Sequence, residues 1–278
     1  MKGRSVRFRL ALYFGGAGAL TLLITLLRSI ALCAAFDAEI GYFRQGALSI
    51  IIYILQALGL VAAFAPLLLF QKDELRTERA PLSTVGLVAA GAAALSLIAT
   101  AAYLVVRAAS AAGGSATTVA PLPLMLLAAL LFAAACGYFA LQFLGKPHKA
   151  APFGYAVILA AVLLLSITYF DRYTQMNAPH KLSVHMAMLA IAVFLLYELR
   201  TFFGIARPRA LAVTSAICFG VCASGGLSNL VGFLAGRYED PLYLMADLVA
   251  VAMAFYVGAR AVADLLAAST DKEEVETV

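Results

Sequence analysis

Two charged residues inside apolar stretches are left over once the remaining charges are assigned to loop orientation: Arg28 within residues 10–34 and Asp247 within residues 241–266. A charge at the centre of a membrane helix costs about 2.5–3.5 kcal/mol on insertion scales, so charges there serve pairing, ligand binding or ion movement. The two have opposite signs, and low dielectric favours pairing them over leaving each alone. The spacing therefore predicts that Arg28 and Asp247 approach each other, as an ion pair locking helices or as part of a solute site. Gln56 and Asn229 are amides in similar surroundings. Each is able to hydrogen-bond across helices or to a bound solute. The most polar apolar-flanked stretch, residues 171–181, contributes Asp171 and Lys181, with His185 one turn beyond. These three are expected to gather at an outer mouth. Their commoner roles are helix termination for Asp171 and a structural hydrogen bond for His185.

Other chemistry finds little support. Cys218 and Cys222 share a helix face at i, i+4, and with Cys33 and Cys136 they read as packing residues, not as a metal or redox pair. Met176, Met186 and Met188 with His180 and His185 lack the repeated spacing of a copper site. There is no HExxH zinc motif and no glycine loop followed by Lys-Ser/Thr. Every histidine precedes the Gly-Leu-Ser stretch at 226–228, so no downstream base serves it. No cofactor and no metal are expected, and the chain is not expected to be an enzyme.

The elements that position these residues follow from composition. The chain has 278 residues, 64% hydrophobic and 13% charged, with a mean hydropathy of +0.95. Soluble domains carry roughly 45–50% apolar and about 25% charged residues. That difference excludes a soluble globular enzyme and a disordered chain. The net charge of +5 does not imply nucleic acid, because the basic residues lie in short stretches between apolar segments and not on one face. Apolar spans are predicted near 10–34, 47–70, 83–106, 121–144, 153–170, 182–203, 210–235 and 241–266. Each is long enough to cross ~30 Å of hydrocarbon as a helix. A β-barrel would alternate in segments of about ten residues, which Leu126–Ala135 does not.

Loop charges orient the spans. With the N-terminus inside, 14 Lys and Arg residues fall on the cytoplasmic side and 5 on the other, leaving Arg28 within the first span. Both termini are thus expected in the cytoplasm. The basic start, Met1 to Arg9, is followed by an apolar stretch too long for a signal-peptide core, so a retained anchor helix is expected.

Internal similarity points to duplication. Phe36-Asp37 and Phe170-Asp171 share an offset of 134 with Leu48-Ser49 and Leu182-Ser183. Tyr103-Leu104 before Arg107 matches Phe233-Leu234 before Arg237, and Pro121-Leu122 matches Pro241-Leu242. Two four-helix halves are expected, 1–145 and 146–270, with an acidic disordered tail at 271–278. Four is even, so the copies would be parallel, as in some transporters. Arg28 and Asp247 would break that symmetry, their counterparts being Val162 and Leu127.

Tyr169-Phe170-Asp171, Met176-Asn177-Ala178-Pro179, Lys181 and Tyr197-Glu198-Leu199-Arg200 resemble a pattern in uncharacterised multi-pass membrane proteins of Gram-positive bacteria. The resemblance covers mainly residues 165–235 and implies a bacterial cytoplasmic membrane, with no activity attached. The expected fold class is an all-α integral membrane protein of eight helices. The expected function is secondary transport or permeation of a small solute or ion. The alternative is a non-transporting sensor or accessory subunit, receiving a signal at 171–181 and contacting a cytoplasmic partner through 198–209.

Overall fold

The computed structural model describes residues 2–270, apart from 38–40, 45, 72–73, 76, 114–119, 172–173 and 176–177. The expected tail at 271–278, Arg172, Met176 and Asn177 lie outside the described residues. The helices are α1 (Lys2–Ala34), α2 (Ala47–Ala63), α3 (Pro66–Leu69), α4 (Thr84–Ala112), α5 (Leu122–Phe143), α6 (Pro147–Tyr169), α7 (Pro179–Phe202), α8 (Pro208–Leu234) and α9 (Pro241–Thr270). A two-residue hairpin of β1 (Phe36–Asp37) and β2 (Tyr42–Phe43) follows α1, with Phe36 opposite Phe43. Eight helices, counting α2 and α3 as one, are long and apolar enough to cross a membrane. Large apolar side chains such as Leu12, Leu22, Ile54, Val85 and Leu130 face outward on them. Exposure on that scale would be an aggregation liability in water but is an ordinary surface in lipid.

Glycine and proline set the element boundaries. Gly145, Gly204 and Gly236 have φ of 69°, 73° and 65°, a backbone region that side chains with a Cβ avoid. Each closes a helix, with the next N–H returning to a carbonyl five residues back: Lys146 to Leu141, Ile205 to Arg200 and Arg237 to Gly232. Proline then opens the following helix at Pro147, Pro208 and Pro241, where its missing N–H costs no hydrogen bond. This explains why α6 starts six residues before the predicted span: Pro147 nucleates it through His148 and Lys149. The second predicted span is interrupted instead. α2 ends at Ala63 with Phe64 as its cap, because Pro66 has no N–H to donate into the preceding turn.

α4 to α9 form a ring, each helix packing on its successor and α9 returning to α4, with α7 and α9 also in contact. Small residues permit close approach. Ala89, Ala90, Ala93 and Ala94 of α4 are buried, as are Ala128, Ala129 and Ala135 of α5. Phe132, Tyr138, Phe139, Phe194, Tyr243 and Tyr256 fill the centre. α1 lies along α8, and α2 rests on α1 with a smaller contact to α8. Only 11% of the second span is buried, against 67% for each of the last two. Helices of the two expected halves therefore interlock: α1 packs on α8 and α4 on α9.

Candidate functional site

α7 and α9 carry polar side chains at both ends, and these form two networks. Lys181 and Glu198 are 17 positions apart on α7, about 25 Å along the axis.

Around Asn229 of α8, four elements meet. Arg28, 7% exposed, donates from Nη2 to the Pro179 carbonyl (2.7 Å) and to Asn229 Oδ1 (3.3 Å). Asn229 Nδ2 donates to Ser183 Oγ (2.8 Å) and to Asp247 Oδ1 (2.9 Å). The Tyr238 hydroxyl lies against the Asn229 carbonyl and, at 3.3 Å, against Asp247 Oδ2. Burial and then the adjacent Asp247 push that hydroxyl above its ordinary pKa, so Tyr238 stays a donor at physiological pH. Arg28 and Asp247 do reach one neighbourhood, but they form no direct ion pair among the described residues. Asn229 stands between them with one amide atom toward each charge. Its amide offers an acceptor to the cation and a donor to the carboxylate at once. Gly226 makes the geometry possible: a Cβ there would lie 2.9 Å from Val251 Cγ2 and 3.1 Å from the Asp247 carbonyl. α8 runs unbroken through this glycine-rich stretch, so its glycines serve close packing and not a helix break.

Next to it, Lys181 and Asp171 meet, but not at an open mouth. Lys181 is fully buried and Asp171 is 3% exposed. Lys181 Nζ donates to the carbonyls of Asp171 (2.8 Å) and Thr174 (3.1 Å), while Tyr243 donates to Asp171 Oδ2 (2.9 Å). The cation thus fastens the end of α6 to α7. His180 stacks on Tyr238 with centroids 4.5 Å apart. His185 does not join them: its ring lies beside Tyr169, and its Nε2 is buried with no hydrogen-bond partner.

The opposite network centres on Glu198, which is fully buried. Glu198 Oε1 lies 3.3 Å from Arg79 Nη2 and 3.2 Å from Arg260 Nε. Tyr138 donates to Oε2 at 2.8 Å and Tyr256 to Oε1 at 3.2 Å. Arg79 also pairs with Asp264, whose other oxygen accepts from the Ala80 N–H. Arg260 reaches the Ala80 carbonyl (3.0 Å) and Gln142 Oε1 (3.1 Å). Two cations and two carboxylates balance. This corrects the expectation that Arg28 and Asp247 are the only charges left over by loop orientation, with Arg79 and Arg260 as loop cations. Glu198 and Arg260 lay within the predicted spans 182–203 and 241–266, and that position was the one available sign of them, which sequence reasoning passed over.

A cavity of about 570 Å³ lies where α1 and α2 meet α7 and α8. It extends along α1 from Arg9 to Arg28, 19 positions or about 28 Å. Gln56 lines it and makes no hydrogen bond to any described residue. Thr21, Ser183 and Ser224 add hydroxyls, and Leu20, Ile217 and Met186 make up apolar wall. The cavity touches Arg28 and Gln56 among the expected site residues, with Asn229 and Asp247 behind its wall. Asp171, Lys181 and His185 do not line it. Cys218 and Cys222 are buried in α8 with their sulfurs 3.9 Å apart. No protein family, no curated protein and no solved structure matches the chain.

Proposed function

We propose that the chain is a secondary transporter or permease of a small solute, and that the cavity between α1, α2, α7 and α8 is its path. The observation that supports this is the depth of that cavity. It follows nearly the whole length of a membrane helix, whereas the α4–α9 ring is filled with aromatic and alanine side chains. Volumes of ~300–1,000 Å³ suit small ligands. Arg28 and Gln56 offer the solute donors, and Asn229 and Asp247 hold Arg28 in place from behind. The protein resides in a bacterial cytoplasmic membrane with both termini in the cytoplasm, and Arg28 lies toward the outside. The duplication into 1–145 and 146–270 belongs to the same reading, with α1 and α2 displaced onto the second copy.

Accessibility tests the path. In a cysteine-free background, Gly16→Cys and Ser183→Cys are reacted with a membrane-impermeant maleimide in oriented vesicles. Transport requires each position to be reached from its own side of the membrane, with reactivity shifting when solute is present. Labelling of both from one side only, unchanged by any solute gradient, removes the proposal. The sensor or accessory reading draws on a separate observation, the internal charge balance around Glu198, which suits a rigid scaffold. It requires co-purification of a partner that is lost on altering the 198–209 segment.

A further inference from the structure

We propose that the occupant of the α1/α2/α7/α8 cavity is a membrane lipid with an anionic headgroup, its head at Arg28 and its chain running toward Tyr13. This rests on the cavity being the solute site. The charged residues that line it are Arg9 and Arg28, and no carboxylate is among the described lining residues. Arg9 is paired with Glu74 at 2.9 Å. Arg28 has no direct ion pair among the described residues, and its Nη1 makes no hydrogen bond to any of them. A guanidinium keeps its charge in apolar surroundings and makes charge-assisted hydrogen bonds to phosphate oxygens. The contacts of Arg28 to Pro179 O and Asn229 Oδ1 both use Nη2, which fixes the guanidinium plane and leaves Nη1 as the donor toward a headgroup.

The rest of the cavity suits a chain and not a polar solute. Below Gln56 and Thr21, the wall is Leu20, Leu60, Ala63, Ala216 and Ile217 down to Tyr13, whose hydroxyl is already donated to the Ala63 carbonyl, with the Arg9–Glu74 pair beyond it. A sugar or amino acid would lose its hydrogen bonds there and find none to replace them. A hydrocarbon chain loses nothing. Access from the bilayer is lateral, because the lining residues Leu12, Tyr53 and Leu60 are also exposed on the outer face of the helices. At the Arg28 end a second hollow of about 330 Å³ shares Phe43, Tyr53 and Pro179 with the first. It lies beside β2 and gives a headgroup room outside the hydrocarbon.

The chain contains no tryptophan, so one introduced indole is an unambiguous reporter. Ile217→Trp places it in the cavity wall and Leu130→Trp on the open face of α5. Each variant is reconstituted with phosphatidylcholine containing increasing amounts of chain-brominated phosphatidylglycerol, or of chain-brominated phosphatidylcholine. At Leu130→Trp the two lipids quench alike. At Ile217→Trp brominated phosphatidylglycerol is expected to quench at about fivefold lower mole fraction, the preference one cation confers toward an anionic lipid. Arg28→Gln brings that ratio to one, Arg28→Lys retains part of it, and excess inorganic phosphate does not displace the lipid. No quenching at Ile217→Trp, or equal quenching by both lipids with Arg28 intact, overturns the assignment. Selective quenching without two-sided cysteine access leaves the lipid site standing and removes transport.

Discussion

Glu198→Ala is the most informative single change. It leaves two buried guanidinium groups, Arg79 at 7% and Arg260 at 3% side-chain exposure, facing one carboxylate, Asp264. Removing one partner of a buried ion pair costs about 3–5 kcal/mol, because the remaining charge stays desolvated. The hydroxyls of Tyr138 and Tyr256 also lose their acceptor. At about 2–4 °C per kcal/mol for a chain of this size, the Tm should fall by roughly 6–20 °C. Thermal unfolding of purified protein in detergent, followed with a thiol-reactive dye, reads this directly, because Cys218 and Cys222 are buried and free. Glu198→Leu combined with Arg260→Met restores the balance and keeps the Arg79–Asp264 pair. That double variant should recover at least half of the loss, since apolar replacement of a whole buried pair is often neutral. A shift below about 2 °C for Glu198→Ala, or a double variant as unstable as the sum of its single changes, would refute the charge-balance argument.

Asn229→Leu removes the amide between Arg28 and Asp247. It should destabilise by about 1–3 kcal/mol or more through unsatisfied buried groups, and a thermal shift no larger than that of a surface change would count against the bridging role. Exchanging the charges, Arg28→Asp with Asp247→Arg, should be less damaging in Tm than either single change. Equal damage would show that the two act independently. Gly226→Ala places a methyl against Val251 and the Asp247 backbone and should cost about 1–3 kcal/mol by overpacking; an unchanged Tm would mean that α8 and α9 separate freely. The Asp240 carboxyl, in the turn before α9, is held above its usual pKa, first by burial. A raised folded-state value favours the protonated form, so its contribution is fully present below the unfolded pKa and is lost as pH rises through the folded one. The Tm of the native protein relative to Asp240→Asn should therefore decline as pH rises above about 4, and a flat difference would contradict it.

Helix number and approximate position were legible in the sequence because lipid demands one long apolar run per crossing. The ends were less so. Apolar content alone fades at His148 and Lys149, whereas Gly145 and Pro147 decide the boundary through backbone geometry. Arg28 and Asp247 stood out because the residues around them are aliphatic. Glu198 did not, because Tyr197 and Arg200 make its surroundings look like a helix end, and only Tyr138, Tyr256 and Arg260, each from a distant part of the chain, reveal it as interior. Lys181 was visible as a cation near Asp171. Its burial was not, since its ammonium donates to backbone carbonyls that no side-chain pattern records. The cavity was illegible altogether, because it arises from α1 and α2 lying over α8 and not over their sequence neighbours α4 and α5.

The separation of Arg28 from Asn229 in sequence, 201 positions, has a consequence for how the protein is made. At ~5–20 residues per second, α8 emerges roughly 10–40 s after α1 has been threaded into the membrane. For most of that interval, until Pro179 emerges 151 positions after it, Arg28 has none of its final partners, and a lone arginine in lipid draws water and headgroups toward itself. The first helix is therefore held in the bilayer by its apolar length and its basic start alone. It waits until the seventh crossing arrives, which makes the N-terminal helix the step at which a failing insertion pathway would be felt first.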